Sequence, residues 1–535
     1  MNNLQRIYFI VLFSVLSSYN SFCQPAFHSD SITILKDESW YGAAVDEGIN
    51  MPFAEGYHLD LYGNCKGNQA APLLVSSSGR FIWSEQPFAF SLANGKLIVS
   101  GNKAEINIKQ AGHTLREAYI AASKEFFPAD GKTIPPVFVE SPQYNTWIEL
   151  KYNQEQEAIL AYANSIINNG FPPGILMIDD NWFSSYGNFE FRKDRFSDPA
   201  AMINKLHGMG FKIMLWVCPF ISADGEAFRE LREKKLLVTR ENNDHTLSPA
   251  IIEWWNGFSA SLDLTNPEAR KWLTDKLENL QTVYKVDGFK FDAGDPEFYL
   301  DTTLRFNKAI ESPNDITRLW SEWGLSIPFN EFRASWKMGN KPLVQRLRDK
   351  RHNWEDLQKI VPAITAAGLL GYGAVCPDMI GGGEFLSFGK NDSIDSKLIV
   401  RSAQLHALMP MMQFSIAPWR VLDSVSLHAV KQAVLIRKKF LPVIDSLVKS
   451  GSLTGEPIVR SLEYVFPGEG FQRCNDQFML GGNVLVAPVL TAQDSRRIKF
   501  PGGRWKGWDG KIIKGPVTKD VVIPLDQLAW FIRLR

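Results

Sequence analysis

Between residue 24 and about residue 136, hydrophobic and polar positions alternate in short runs such as KLIVSG and EINIKQ, with Gly, Asn and Asp between them. A period of two bounded by turn residues predicts an all-β unit, an N-terminal β-sandwich over 24–136. From Tyr144 the rhythm changes. Short apolar runs now alternate with segments whose apolar positions recur every three or four residues. TWIEL precedes Gln154 to Asn169, GILMIDD precedes Ala200 to Gly208, and FKIMLWVCPF precedes NPEARKWLTDKLENLQTVYK. That third helix carries its own start signal, Asn266 as N-cap with Pro267 at the first helical position. VDGFKFDAGD follows, and IPFNEFRA, VQRLRD, GYGAVCPDMI and LMPMMQFSI are further strand candidates before a last helix, Val425 to Lys449. Strands alternating with helices imply a parallel sheet, so eight units over 137–450 predict an α/β fold of the (β/α)8 TIM-barrel type. EPIVRSLEYVF, NVLVAPVL, RRIKFPGGRW and VVIPL then return to β-type patterning, predicting a C-terminal β-sandwich over 451–535.

The first residues change the picture of location. Arg6, the apolar run Ile7 to Leu16 and the small residues around Cys23 follow the order of a secretory signal peptide, predicting 1–23 as its extent. Cleavage after Cys23 predicts an exported chain, periplasmic or secreted. An apolar run of about ten residues is short of the roughly 20 that a membrane span needs, and no later segment qualifies.

With 58 basic and 58 acidic residues the net charge is zero, which gives no electrostatic footprint for nucleic acid. Cys65, Cys218, Cys376 and Cys474 are too dispersed for a disulfide framework and show no metal-type CxxC spacing. Sixteen tryptophans supply surfaces that are apolar and hydrogen-bonding at once, as carbohydrate sites are.

In a barrel of this type the chemistry sits at the C-terminal ends of the strands. Reading those ends gives Trp147, Asp179, Asp180, Trp216, Asp292, Arg333, Asp349 and Asp378. One strand-end Asp can simply cap a helix or order a turn. Five on one rim, with Trp and Arg among them, point instead to chemistry. Paired carboxylates and aromatic platforms without metal spacing fit glycoside hydrolysis, where one carboxylate attacks or activates water and another protonates the leaving oxygen. Lys290 and Asp292 are two apart on a strand and share a face. The lysine either keeps Asp292 ionised beside the substrate or forms a structural ion pair with another Asp.

Other features carry less. Gly381-Gly382-Gly383 lacks the Lys-Ser/Thr of a phosphate cradle and reads as a barrel loop. His352 and His406 have no partners at metal spacing. Trp254-Trp255 fits a sugar-stacking wall or packing against the upper rim equally.

The blocks ILMIDDNW, IMLWVCPF, DGFKFDAGD, RASWKMGN with RLRDKRHNW, PDMIGGG, GEPIVRSLEYVFP and DQFMLGGNVLVAPVL, in this order, resemble glycoside hydrolase family 31 over nearly the whole exported chain. The resemblance implies a retaining α-glycosidase. It assigns the nucleophile to Asp292 and the general acid/base to Asp349, and places Asp179, Asp180, Trp216, Arg333 and Asp378 around the sugar, whose hydroxyls Lys290, on the face it shares with Asp292, can also reach. It implies an oligosaccharide or other glycoside as substrate, and neither metal nor organic cofactor. The chain departs from the family's α-glucosidases. Lys290 replaces an aromatic residue, Ala293-Gly294-Asp295 replaces Met-Asn-Glu, Arg348 and Lys350 flank the acid/base, and Ser415 stands where a histidine is usual. The KFDAG form resembles more closely the branch that holds the myogenesis-regulating glycosidase and bacterial α-galactosidases, so α-galactose is the expected sugar. α-Xylosidase, α-glucosidase, transglycosylase and a non-catalytic carbohydrate-binding protein are the alternatives.

Overall fold

The computed structural model describes residues 27–102, 105–389 and 393–534, so the expected signal peptide lies outside the described residues. Two antiparallel sheets open the chain. One orders Phe27–Thr33, Lys96–Asn102, Ala89–Ala93 and His58–Asp60; the other orders Trp40–Ala44, Gln69–Ser76, Arg80–Trp83 and Asn107–Gln110. Trp40, Leu61, Leu74, Ile82, Phe90 and Leu97 fill the space between them. Gln69–Ser76 is buried along its whole length because its two faces have different neighbours. Ala70 and Leu74 face the sandwich core, while Ala71, Leu73 and Val75 face the core shared with the barrel.

The barrel strands are, in order, Gln143–Asn145, Ile175–Ile178, Lys212–Val217, Gly288–Phe291, Asn330–Phe332, Gln345–Arg346, Val375–Cys376 and Gln413–Phe414. All pair in parallel, and a bridge between Met379 and Gln413 closes the eighth strand onto the seventh. The first strand is one step earlier than the apolar pattern indicates. Trp147–Leu150 of TWIEL is a single helical turn, and the strand is the preceding Gln-Tyr-Asn. Asn266 does cap Pro267–Tyr284, its side chain accepting from the Glu268 amide. The last barrel helix runs on to Thr454, where Gly455 ends it in a left-handed conformation.

The fifth strand is not followed by a helix. Ser335–Trp336 instead leaves the barrel and pairs in parallel with Gln69 and Ala70 of the N-terminal sheet. After the barrel, six antiparallel strands order as Val459–Arg460, Phe478–Leu480, Val484–Val486, Trp530–Leu534, Ser495–Gly507 and Ile512–Val522. They enclose a separate core of Leu485, Ile498, Phe500, Trp505 and Phe531. Among the described residues no helix is long and apolar enough to cross a membrane, and no His, Cys, Asp or Glu cluster is arranged to hold a metal.

Candidate active site

A cavity of about 550 Å³ opens at the C-terminal ends of the barrel strands. Asp292 directly follows the fourth strand. There Ala293 and Gly294 both take positive φ, 56° and 78°, and turn the chain away from the rim. A side chain at Gly294 would begin 2.5 Å from the Trp320 ring, so the turn needs glycine twice over, for φ and for space.

Every hydrogen-bond donor around Asp292 favours its anion. Trp216 Nε1 donates to Oδ2 at 3.0 Å, Arg333 Nε to Oδ1 at 2.9 Å and the Ala293 amide to Oδ1 at 2.9 Å. Lys290 Nζ stands 3.7 Å from Oδ2. Burial opposes the charge, but Arg333, Lys290, Arg346 and the Trp216 bond outweigh it and hold the carboxyl far below the ordinary carboxylate range. An unprotonated, desolvated carboxylate lining a pocket can act as a nucleophile.

Lys290 makes a structural ion pair and also stands close to Asp292. Its nearest partner is Asp179, with Nζ 2.7 Å from Oδ2, and it also lines the cavity beside Asp292. Asp179 accepts a second bond from Asn145 Nδ2 at 2.8 Å. Arg333 is shared three ways. Besides Asp292, it donates through Nη1 and Nη2 to both oxygens of Asp295, at 2.8 and 2.5 Å, and through Nη1 to the Gly67 carbonyl at 2.8 Å. Its guanidinium lies 5.0 Å from the centre of the Trp255 ring, which walls the cavity.

Asp349 enters from the loop after the sixth strand, where Arg346 Nη1 donates to its Oδ1 at 2.7 Å. The same nitrogen lies 2.7 Å from Asp378 Oδ1. With 37% of its side chain exposed, Asp349 is the more open of the two carboxyls expected to do the chemistry, the setting of a group that must meet both leaving oxygen and water.

A family model for the glycosyl hydrolases family 31 TIM-barrel domain matches residues 136–447, and one for the family 31 C-terminal domain matches residues 455–534. The chain belongs to glycoside hydrolase family 31. The mouse myogenesis-regulating glycosidase is 34% identical over 404 residues, which is 73% of this chain and 56% of that protein. Alpha-glucosidase 2 of Bacillus thermoamyloliquefaciens is 26% identical over 415 residues, 71% of this chain and 51% of the relative. The chain thus spans about half the length of the curated relatives it matches. Among solved structures, a family 31 dextranase of Flavobacterium johnsoniae complexed with glucose superposes with a TM-score of 0.83 at 18% identity, covering 95% of this chain and 67% of that one. A family 31 α-xylosidase from a soil metagenome, complexed with xylose, gives 0.81 at 20% identity over 95% and 79%.

Within this family 31 barrel, seven of the eight residues read from sequence as catalytic or substrate-binding line the cavity: Asp179, Asp180, Trp216, Lys290, Asp292, Arg333 and Asp349. Asp378 stands behind the wall. It is fully buried, held by the Lys350 amide at 2.7 Å and the Gly383 amide at 3.0 Å, and burial lifts its carboxyl to about 7 against the pull of Arg346. It braces the Asp349 loop rather than facing a ligand. Asp180 is also lifted by burial to about 7, although Tyr186 and Asn256 both donate to its Oδ2.

Of the two residues that flank Asp349, Arg348 reaches the cavity, whereas Lys350 turns away into the protein. The Trp pair divides: Trp255 faces the cavity, and Trp254 packs on Phe220 with ring centres 4.4 Å apart. Ser415 is buried, its hydroxyl accepting from the Ile148 amide at 2.7 Å. His352 is engaged by Gly381 and Asp395 through its two ring nitrogens, and His406 lies in the core. The sequence reading missed Arg346, for which the signal was an arginine three residues before Asp349 in a buried strand. It also missed Asn256 and Tyr186, which no spacing singles out.

The Gly-Gly-Gly run has a packing role at its third member. A methyl group at Gly383 would lie 2.7 Å from Asp378 Oδ1 and 2.9 Å from Asp349 Oδ1, closer than such atoms approach. Gly383→Ala is therefore expected to displace Asp349 and lower kcat by about 10- to 100-fold. Steady-state kinetics on an aryl α-glycoside, with the melting transition as a control for folding, checks this; kcat within twofold of the parent would refute it.

Proposed function

We propose that this protein is an exo-acting retaining α-glycoside hydrolase, most specifically an α-galactosidase, exported after cleavage at Cys23. The observation that carries the reading is the contrast between two carboxyls in one cavity. Asp292 is desolvated and held ionised by Arg333 and Lys290, while Asp349 is partly open and rests on one arginine. Asp292 Oδ attacks the anomeric carbon as Asp349 gives its proton to the departing oxygen, leaving a covalent glycosyl-enzyme. Asp349 then takes a proton from water, which displaces Asp292 and releases the sugar with its original configuration.

The cavity wall bears on specificity. Seven carboxyl-bearing side chains and four cationic ones line it, so its charge balance disfavours a sulfonated or acidic sugar and favours a neutral one. Buried polar groups discriminate between hydroxyl epimers because the wrong epimer leaves a donor or acceptor unpaired. The Lys290, Ala293 and Asp295 positions that depart from the α-glucosidases lie at or beside this wall.

The test is a panel of aryl α-glycosides: galactoside, glucoside, xyloside, N-acetylgalactosaminide and sulfoquinovoside. The enzyme is recovered from the periplasm, with its mass reporting whether it begins at Gln24. Selective release from the galactoside, with an α-anomeric sugar as first product, is expected. Turnover confined to another sugar removes the galactose assignment and keeps the mechanism. No turnover of any member removes both.

A further inference from the structure

The loop that carries Asp349 is gripped from outside the barrel. No helix or strand covers residues 347–351, so its shape depends on contacts from outside it, backbone bonds from Leu347 to Cys376 and from Glu384 to Lys350 together with side-chain contacts. Barrel-side contacts come from Arg346 and Asp378, already described. The opposite side is supplied by the N-terminal sandwich. Fully buried Asn68 accepts from the Arg348 amide through Oδ1 at 2.7 Å and donates through Nδ2 to Asp46 Oδ1 at 3.1 Å. Asp46 in turn stands 3.5 Å from the Arg348 guanidinium and 3.8 Å from the Lys350 ammonium. Lys350 Nζ completes the ring by donating to the Arg348 carbonyl at 3.0 Å.

Both residues that flank Asp349 in the chain are thus tied to Asp46 of another folding unit, and Arg348 is tied to Asn68 as well. The anchor itself is firm. Asp46 lies in the helical turn Val45–Asn50, and a side chain at Gly48 of that turn would begin 2.3 Å from the Pro362 carbonyl, so the turn is pressed directly on the barrel helix Ile360–Leu369.

We propose that Asn68 and Asp46 are positioning residues for the general acid/base, fixing the place from which Asp349 delivers and recovers its proton. The inference rests on the role given to Asp349 above. Neither residue touches the cavity floor or Asp292, so the effect falls on proton transfer and not on nucleophilic attack. Proton delivery is sensitive to placement: general acids contribute about 10²- to 10⁴-fold, and a shift of about 1 Å can cost about 10²-fold.

A leaving group that needs no proton separates this role from general damage. In methyl α-galactoside the bond from the anomeric carbon to oxygen breaks while Asp349 protonates that oxygen. In α-galactosyl fluoride the carbon–fluorine bond breaks, fluoride leaves as the anion, and no proton moves. Since kcat/KM reports only steps through formation of the glycosyl-enzyme, Asn68→Ala and Asp46→Ala are each expected to lower it at least tenfold for the methyl glycoside. The same variants should change it no more than about twofold for the fluoride. Asn68→Asp combined with Asp46→Asn exchanges the two groups, keeping an acceptor for the Arg348 amide and a donor between the pair, and is expected to recover most of the loss.

Hydrogen exchange over residues 347–351, expected to quicken in Asn68→Ala while residues 288–292 stay unchanged, reads the grip without turnover. Equal losses on both substrates, no loss on either, or unaltered exchange would each overturn the proposal. If the parent enzyme cleaves neither galactoside while exchange responds as expected, the grip stands and the reading of Asp349 as an α-galactosidase acid fails.

Discussion

Asp292→Ala is expected to lower kcat by on the order of 10,000-fold or more, because in the role proposed for Asp292 it removes the atom that forms the intermediate rather than one that assists it. The loss should be partly reversible in a diagnostic way. Alanine leaves space on the face of the sugar that the carboxylate occupied, and azide can attack the anomeric carbon there. With an activated aryl α-glycoside, one displacement replaces two, and the product is the β-configured glycosyl azide. Nuclear magnetic resonance of the product reads the configuration directly. Residual activity within tenfold of the parent, or an α-configured azide, would mean that the nucleophile is another group.

Arg333→Ala is expected to act on stability and on pH dependence together. The Arg333 side chain is 11% exposed and serves Asp292, Asp295 and the Gly67 carbonyl, so its removal leaves two buried carboxylates short of a cation. Breaking a buried pair in this way costs about 3–5 kcal/mol. The sign of the pH effect follows from Asp292. Its folded-state pKa is depressed, so the stability linked to its ionisation is present above the unfolded carboxylate value of about 4 and is lost as pH falls through the folded value. In the parent that loss lies far into the acid. Without Arg333 the folded value rises, and both the acid loss of stability and the acid limb of kcat/KM should move towards neutrality, the limb by about one pH unit or more. Urea unfolding at several pH values and a pH–rate profile measure the two effects, and an unmoved acid limb would show that Lys290 and Arg346 hold the charge unaided. Arg333→Lys should not restore the parent, since one ammonium cannot reproduce the paired bonds to Asp295.

How much of this was legible from sequence differs along the barrel for a physical reason. Ile175–Ile178, Lys212–Val217 and Gly288–Phe291 are apolar enough for the pattern to place them. The first, sixth and eighth strands carry Gln143, Asn145, Gln345, Arg346 and Gln413, all buried. Some of these polar side chains pair inside the barrel: Gln413 Nε2 donates to Gln143 Oε1 at 2.7 Å and to Glu331 Oε2 at 3.2 Å. The first strand, Gln-Tyr-Asn, has no apolar alternation, so the adjacent Trp-Ile-Glu-Leu took its place in the sequence reading, whereas VQRLRD and LMPMMQFSI do contain the sixth and eighth strands. The site was legible where a side chain sits at the end of a recognisable strand, as Asp179, Trp216 and Asp292 do. Arg348, Trp255 and Asn256 reach the cavity from loops whose course no periodicity describes, and Gly67 contributes a carbonyl, which has no signature in sequence at all.

The pairing of Ser335–Trp336 with the N-terminal sheet bears on the order in which the molecule acquires its activity. Gly67 and Arg333, joined by a hydrogen bond just above that pairing, are 266 residues apart in the chain. Contacts of such separation bear a large loop-closure cost and are slow to form. During synthesis the sandwich emerges long before its partner segment, and its strand Gln69–Ser76 must wait with one face unsatisfied. The seam between sandwich and barrel is therefore where an aggregation-prone intermediate would expose itself. A molecule whose barrel had closed without that seam would have Asp292 at its strand end but lack the Gly67 carbonyl that Arg333 binds and the grip of Asn68 and Asp46 on residues 347–351, folded by most spectroscopic measures yet with its site incomplete.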